Sequence, residues 1–267
     1  MKRTSMTLCS ILFLSATFAD SHAKTNEVST DSILTAAMVG EGIQQYNKGY
    51  HYLTGTGDVQ QSDEQARYWF DLAAKSNIPG VRYKIGRLFE TGTLYKQSYT
   101  EAVIHYNYAA DRGDVYAINN LAILYLNGTG VTQDINKGIA LLTQAAEKAN
   151  VEAQVNLGLY YLNTKSSKDS IKHALKWFTE AAKANNPEAL FYLAEHAFAE
   201  QDYVKAYDYY LHSAQQSNSN AQLKLAMLYG KGIGIDKDHQ QSVKWLKESA
   251  KLGNQQAIAI LNRLKQK

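Results

Sequence analysis

The chain has one cysteine and two prolines among 267 residues. A single thiol, Cys9, excludes an internal disulfide and any cysteine-rich metal centre. With prolines only at 79 and 187, long stretches rich in Ala, Leu, Lys, Gln and Tyr run uninterrupted. That composition favours helices, whose interiors exclude Pro and accept long unbranched side chains. Charge of one sign is also lacking, since 28 Lys and Arg face 25 Asp and Glu. A near-neutral balance argues against nucleic acid as a partner, because a phosphate backbone is bound through clustered cations. Long hydrophobic runs are scarce as well. One stretch, Met6 to about Phe18, is shorter and richer in Ser and Thr than the ~20 apolar residues of a stable membrane span. Aromatics are not scarce: 19 Tyr, 7 Phe and 3 Trp are enough to build a core, and the chain does not read as disordered.

The apolar stretch has the layout of a secretory signal peptide. Lys2 and Arg3 precede it, and Ser21-His22-Ala23 places small residues at the −3 and −1 positions before a cut. Residues 1–23 are therefore expected to be removed, with a cut after Ala19 as an alternative, leaving a periplasmic or secreted chain. An uncleaved anchor or a buried N-terminal helix is the competing reading. Cys9 lacks the small residue expected before a lipidated cysteine. Cleavage lowers the net charge from +3 to +2 and removes the only thiol.

The rest of the chain is organised by an internal repeat. Ala-Ala occurs at Ala73-Ala74, Ala109-Ala110, Ala145-Ala146 and Ala181-Ala182, and continues as Ser213-Ala214 and Ser249-Ala250. The steps are 36 residues, except one of 32 before Ser213. Ala117, Ala153, Ala189, Ala221 and Ala257 keep the same steps, the short one included. A third series lies four residues before each pair: Trp69, His105, Leu141, Trp177, Tyr209 and Trp245. A fourth, Ile85-Gly86, Leu121-Ala122, Leu157-Gly158, Leu193-Ala194 and Leu225-Ala226, marks the first half of each unit. Spacings of three and four, as in Ala117-Leu121-Tyr125 and Gly138-Leu141-Ala145, put each set on one helical face, so every unit is expected to hold two amphipathic helices. Small residues let neighbouring helices approach, and large ones fill the space beside them. Gly-containing turns join the helices, clearest at 55–57, 128–130 and 230–234, where Gly allows positive φ past a helix end. Asp134 and Asp236 follow and suit the cap of the second helix.

Leu-Gly/Ala-x-x-Tyr, then Gly-x-Gly-Val/Ile, Asp, and Lys-Ala-x-x-Trp-x-x-x-Ala-Ala is similar to the Sel1-like repeat, best seen in Leu121–Ala146 and Leu225–Ala250. That family resembles tetratricopeptide repeats with a longer internal loop. The resemblance implies an all-α solenoid, a right-handed superhelix of six units at about 45–78, 79–114, 115–150, 151–186, 187–218 and 219–254. Around it, 24–44 is expected to be a flexible start and an N-terminal capping helix over 32–44. Residues 255–267 are expected to form a C-terminal cap with Ala257, Leu261 and Leu264 inward. Two units depart from the pattern. The fourth has Thr164-Lys165-Ser166-Ser167-Lys168 in place of the Gly turn, and the fifth loses four residues there and reads Ala199-Glu200-Gln201-Asp202-Tyr203.

By resemblance to tetratricopeptide proteins, the concave surface is lined by fixed positions of each first helix. These are Tyr83, Arg87 and Glu90; Tyr116, Asn119, Ile123 and Leu126; Glu152, Val155, Leu159 and Leu162; Glu188, Phe191, Glu195 and Phe198; and Asn220, Leu223 and Met227. An apolar, aromatic middle edged by Glu suits a partner peptide with apolar anchors and a basic residue. Packing between helices is the competing reading for each of these positions.

Catalytic patterns are missing. Gly230-Lys231-Gly232-Ile233-Gly234 lacks the Lys-Ser/Thr ending of a phosphate loop and follows a helix. The histidines after residue 23 (51, 105, 173, 196, 212 and 239) form no His-Glu-x-x-His; His105 reads as packing, and Glu195-His196 is the best place for a weak metal or pH effect. No Gly-x-Ser-x-Gly is present. Some relatives carry a β-lactamase label, but nothing here resembles the Ser-x-x-Lys and Ser-Asp-Asn of that chemistry. The chain is thus expected to be a non-enzymatic, monomeric, cofactor-free scaffold that binds a partner protein in envelope maintenance or host interaction. Alternatives are a regulator or inhibitor of a cell-wall enzyme, or an envelope enzyme or carbohydrate-binding protein.

Overall fold

The computed structural model describes residues 30–164 and 167–265. The expected signal peptide with Cys9, the start over 24–29, and Lys165 and Ser166 of the fourth turn lie outside the described residues. The chain divides into two compact units, Met1–Ala37 and Met38–Lys267. In the first, the described part is the opening of helix α1.

Thirteen helices and no strand occur among the described residues. They pair as α1 (Thr30–Thr54) with α2 (Asp63–Ala73), α3 (Pro79–Thr91) with α4 (Tyr99–Ala110), α5 (Val115–Asn127) with α6 (Ile135–Glu147), and α7 (Val151–Thr164) with α8 (Lys168–Lys183). Then come α9 (Pro187–Ala199) with α10 (Tyr203–Gln215), α11 (Ser219–Lys231) with α12 (His239–Lys251), and a last helix, α13 (Gln255–Lys265). From α3 onward each helix packs chiefly on its neighbours in sequence, as an α-solenoid requires. The N-terminal capping helix expected over 32–44 is not separate, because α1 runs unbroken from Thr30 through the first helix of unit one.

The core repeats one motif. A large residue of each second helix is almost fully buried: Phe70, Tyr106, Leu142, Phe178, Tyr210 and Leu246. Each lies one residue after the expected large marker. Trp177 is buried too, but Trp69 and Trp245 are half-buried and carry Lys48 and Lys244 over their rings. The socket is the small residue of the partner first helix. A Cβ added to Gly49, Gly86 or Gly158 would lie 2.8, 2.7 or 2.6 Å from the rings of Phe70, Tyr106 and Phe178. Ala122 shares a core cluster with Leu142, Ala194 with Tyr210, and Ala226 with Leu246. The paired alanines pack between units, with Ala73, Ala109, Ala145 and Ala181 wholly buried. Where Ser213 and Ser249 replace them, the buried hydroxyls donate to the carbonyls of Pro187 and Ser219, so no polar atom is stranded.

Helix ends follow from local chemistry. The second helices are capped by Ser62, Ser98, Asp134, Ser167, Asp202 and Asp238, whose side chains accept from backbone N–H groups in the first turn. Asp238 thus holds the position expected for Asp236, which is exposed. Gly92, Gly128 and Gly232 close first helices in the left-handed conformation. A second positive φ follows two residues on, at Leu94, Gly130 and Gly234. Between units, Gly113, Ala149, Asn185, Ser217 and Gly253 all have positive φ and recur with the repeat steps. At the C-terminus Ala257 is buried and Ile260 and Leu261 pack beside it, but Leu264 is 51% exposed and not inward as expected.

Candidate protein-binding face

The first helices bring part of the expected lining together. Tyr83 lies between the rings of Tyr106 and Tyr116, both 5.8 Å away. The Arg87 guanidinium hydrogen-bonds the Tyr83 hydroxyl, and Glu152 is close enough to push the Tyr83 pKa upward, behind burial as the main cause. Tyr83 is half-buried, Arg87 and Glu152 are exposed, and Tyr116 leaves 51% of its surface in solvent. Lys84 reaches the ring of Tyr46 from the same helix. An aromatic shelf flanked by cationic and anionic groups results, contributed by α1, α3, α5 and α7.

Glu90 and Glu195 are engaged differently. Tyr106, buried in its socket, donates its hydroxyl to Glu90, and Asn120 contacts both groups. Tyr210 likewise donates to Glu195, which also pairs with Lys224 at 2.8 Å. Burial and the neighbouring carboxylate keep both tyrosines protonated far above their ordinary pKa. These two carboxylates therefore hold the buried tyrosines, and Glu195 keeps 36% of its side chain in solvent. Glu152 and Glu188 are exposed and form no ion pair among the described residues.

The apolar middle is largely occupied by the fold. Val155 and Leu223 are buried at 4% and 3% exposure, and the polar Asn119 at 4%. Those three positions belong to the packing: Val155 clusters with Phe178 of α8 and Ala189 of α9, Leu223 with Leu246 of α12 and Ala257 of α13, and Asn119 is hydrogen-bonded to Asn120 and Asn156. Ile123, Leu126, Leu159, Phe191 and Phe198 are half-buried against core clusters. Leu162 and Met227 stay exposed at 38% and 40%. A cleft of about 330 Å³ opens at one edge, where Glu188, Phe191 and the exposed Asn220 face Ser217 and Asn218.

One stripe was absent from the sequence expectation. Asn156 donates to Asn119 at 3.0 Å, Asn119 to Asn120 at 3.2 Å, and Asn120 to Glu90, so a chain of amides crosses units two to four. Lys84, Asn120, Asn156, Tyr192 and Lys224 occupy one register with steps of 36, 36, 36 and 32 residues. That spacing was the available signal, one residue beyond the positions carried over.

His105 is buried, stacks on Phe89 and lies 3.3 Å from Arg82. Burial first, and the Arg82 charge second, lower its pKa to about 4, which leaves a neutral packing residue. His196 borders Glu195 in a side cavity. No group of three or more His, Cys, Asp or Glu arranged to hold a metal occurs among the described residues. Nor is any described helix long and apolar enough to cross a membrane.

Solved structures share this architecture. A protective antigen of uropathogenic Escherichia coli with an SLR fold is 28% identical, with a TM-score of 0.72 over 86% of this chain and 50% of its own. This chain thus spans half the length of that protein. A Sel1 repeat protein from Oxalobacter formigenes is 26% identical, with a TM-score of 0.72 over 84% of this chain and 91% of its own. An immunity protein from Pseudomonas aeruginosa, 17% identical with a TM-score of 0.55, covers 80% of this chain and 82% of its own and shares the fold alone. A search of curated proteins finds no match. The Sel1 repeat pattern itself matches six times, at 45–78, 81–114, 115–150, 151–186, 187–218 and 219–254. With buried large residue, facing small residue and helix cap recurring at those steps, the chain belongs to the Sel1 repeat family.

Proposed function

We propose that this protein is an exported interaction scaffold that holds a partner polypeptide against its first-helix face. Sel1 repeat proteins are generally protein-interaction scaffolds and typically non-catalytic. The observation that carries the reading is the shelf of Tyr83, Arg87, Tyr116 and Glu152. Its aromatic surface is held in place by packing below and left open above. Packed tyrosines beside charged groups give contact area at low entropic cost. The exposed Glu152 and Glu188 favour a basic residue next to the partner's apolar anchors. Export rests on the layout of residues 1–23. The E. coli relative is a protective antigen, and recognition by a host fits a chain that leaves the cytoplasm.

Photo-crosslinking in the intact cell tests the reading. A crosslinker in place of Tyr116 or Met227 is expected to give a discrete protein adduct, weakened at least fivefold by Glu152→Lys. A crosslinker in place of Ile104 or Val204, exposed on second helices, is expected to give none. Adducts of equal strength from both sets, or none from Tyr116 and Met227, overturn the assignment. Export is checked separately by sequencing the N-terminus of the protein recovered outside the cytoplasm, which is expected to begin at Lys24.

A further inference from the structure

The internal loops of units two, three and six do more than connect helices, because they lie over the second helix of the preceding unit. In unit three the loop between α5 and α6 places Val131 in the cluster of Val103 and Tyr99 on α4. Gly130 comes so close that a Cβ there would be 2.5 Å from the Tyr99 backbone. Unit six repeats this on α10, with Ile233 and Ile235 in the cluster of Tyr207 and a Cβ on Gly234 only 2.6 Å from the Tyr203 side chain. In unit two, Leu94 accepts a hydrogen bond from Arg67 of α2 through its carbonyl.

Unit five lacks this loop. Three residues, Glu200 to Asp202, join α9 to α10, whereas seven join α3 to α4, α5 to α6 and α11 to α12. The face of α8 that should receive a loop carries Ile171 and Leu175, in register with Tyr99 and Val103 on α4 and with Tyr203 and Tyr207 on α10. Both are only half-buried. Two adjoining cavities open there, of about 210 and 270 Å³, and Leu175 and His196 line both. The smaller is walled by Leu162, Ile171, Ala174 and Phe178. On α12 the equivalent surface is lined by His239, Gln240, Lys244, Lys247 and Glu248 around Val243, a composition suited to water. The face of α8, to which unit five supplies no seven-residue loop, keeps the apolar character of a covered one.

We propose that this groove is a vacated loop site that receives an extended segment of a partner protein, one presenting a branched aliphatic side chain after glycine, as Gly130-Val131 and Gly234-Ile235 do at the equivalent faces. The occupant is defined by the chain's own template: an aliphatic knob between the residues in register with Tyr99 and Val103, and a glycine where backbone meets backbone. The proposal rests on the reading of the protein as a scaffold; the groove borders the first-helix face at Leu162 and Glu195 but includes none of Tyr83, Arg87, Tyr116 and Glu152, so its failure leaves the Tyr116 assignment standing.

The test titrates the full chain with a synthetic peptide of its own loop, Gly230–Asp238, followed by methyl NMR. Shifts are expected at Ile171 and Leu175 at millimolar peptide, with Val243 unmoved, and none with a peptide in which both isoleucines are serine. Replacing Glu200–Asp202 by the seven-residue loop Gly232–Asp238 is expected to fill the groove from within, raise Tm and abolish the shifts. If that graft does not fold, Leu175→Gln is expected to weaken the shifts at Ile171 at least threefold. Absence of shifts at Ile171 and Leu175, equal shifts with the serine peptide, or shifts that survive filling the groove overturns the proposal.

Discussion

Ala149 turns the chain from α6 into α7 at φ 60°, a conformation an L side chain occupies at a cost of roughly 1–2 kcal/mol. Gly113 and Gly253 stand at the same register, while Asn185 and Ser217 keep positive φ with short polar side chains. Ala149 is exposed, so its Cβ contributes no packing to offset the strain. Ala149→Gly should therefore stabilise the protein. The greater freedom of Gly in the unfolded chain returns about 0.5–1 kcal/mol of the relief. The net is about 0.5–1 kcal/mol, or a rise in Tm of roughly 2 °C by calorimetry, whereas an unchanged or lower Tm would show that the turn holds no recoverable strain. The side-chain identities made the Ala-Ala pairs and the Gly turns legible beforehand. This register was not, because Gly, Ala, Asn and Ser share no chemistry that marks a position, only a backbone conformation.

Between helices the unit of construction is one large side chain facing one small one. Gly158 meets Phe178 and Gly86 meets Tyr106, whereas Ala122 faces the smaller Leu142. Size is therefore traded across the pair, although unit five accommodates Ala194 against Tyr210. Gly158→Ala alone is expected to cost about 1–3 kcal/mol from overpacking, less up to about 1 kcal/mol of helix propensity regained. Phe178→Leu alone is expected to cost about 1 kcal/mol. Combined, the two recreate the Ala122–Leu142 arrangement and should cost about 1 kcal/mol less than their sum in urea denaturation; strict additivity would mean that the pair does not set the helix separation. Helix pairing and repeat length were readable from the spacings. The deepest side chain of each unit lies one residue beyond the expected marker, although Trp177 and His105 at the marker are buried too. A large indole at a helix rim can be half-covered by a lysine stem, while Phe70, Tyr106 and Leu246 sit at the bottom. At the candidate face, the positions carried over by resemblance include Tyr83, Arg87, Tyr116 and Glu152, but the resemblance could not separate contact from packing at Val155 and Leu223, because contact and core positions adjoin on each first helix. Nor did it reveal that Glu90 and Glu195 are already committed to buried tyrosines.

Across the array, contacts run from neighbour to neighbour, so stability is expected to be lost from the ends inward. Helix α13 covers Leu223, Ala226 and Leu246 through Ala257, Ile260 and Leu261. Ending the chain at Asn254 should cost about 2–4 kcal/mol of apolar burial. It should accelerate hydrogen exchange in α11 and α12 while leaving α3 and α4 unchanged; uniform acceleration along the chain would show one cooperative body instead. The pairing of knob and socket has a second consequence, for how such an array lengthens or shortens over generations. Gly86 and Tyr106, or Gly158 and Phe178, belong to the same unit, so a duplication or deletion of a whole unit carries both halves of the match. A break between the two helices of a unit would separate a glycine from the ring it was sized for. Recombination of genes of this kind should therefore leave its scars at the unit boundaries marked by Gly113, Ala149, Asn185, Ser217 and Gly253, and spare the loops within.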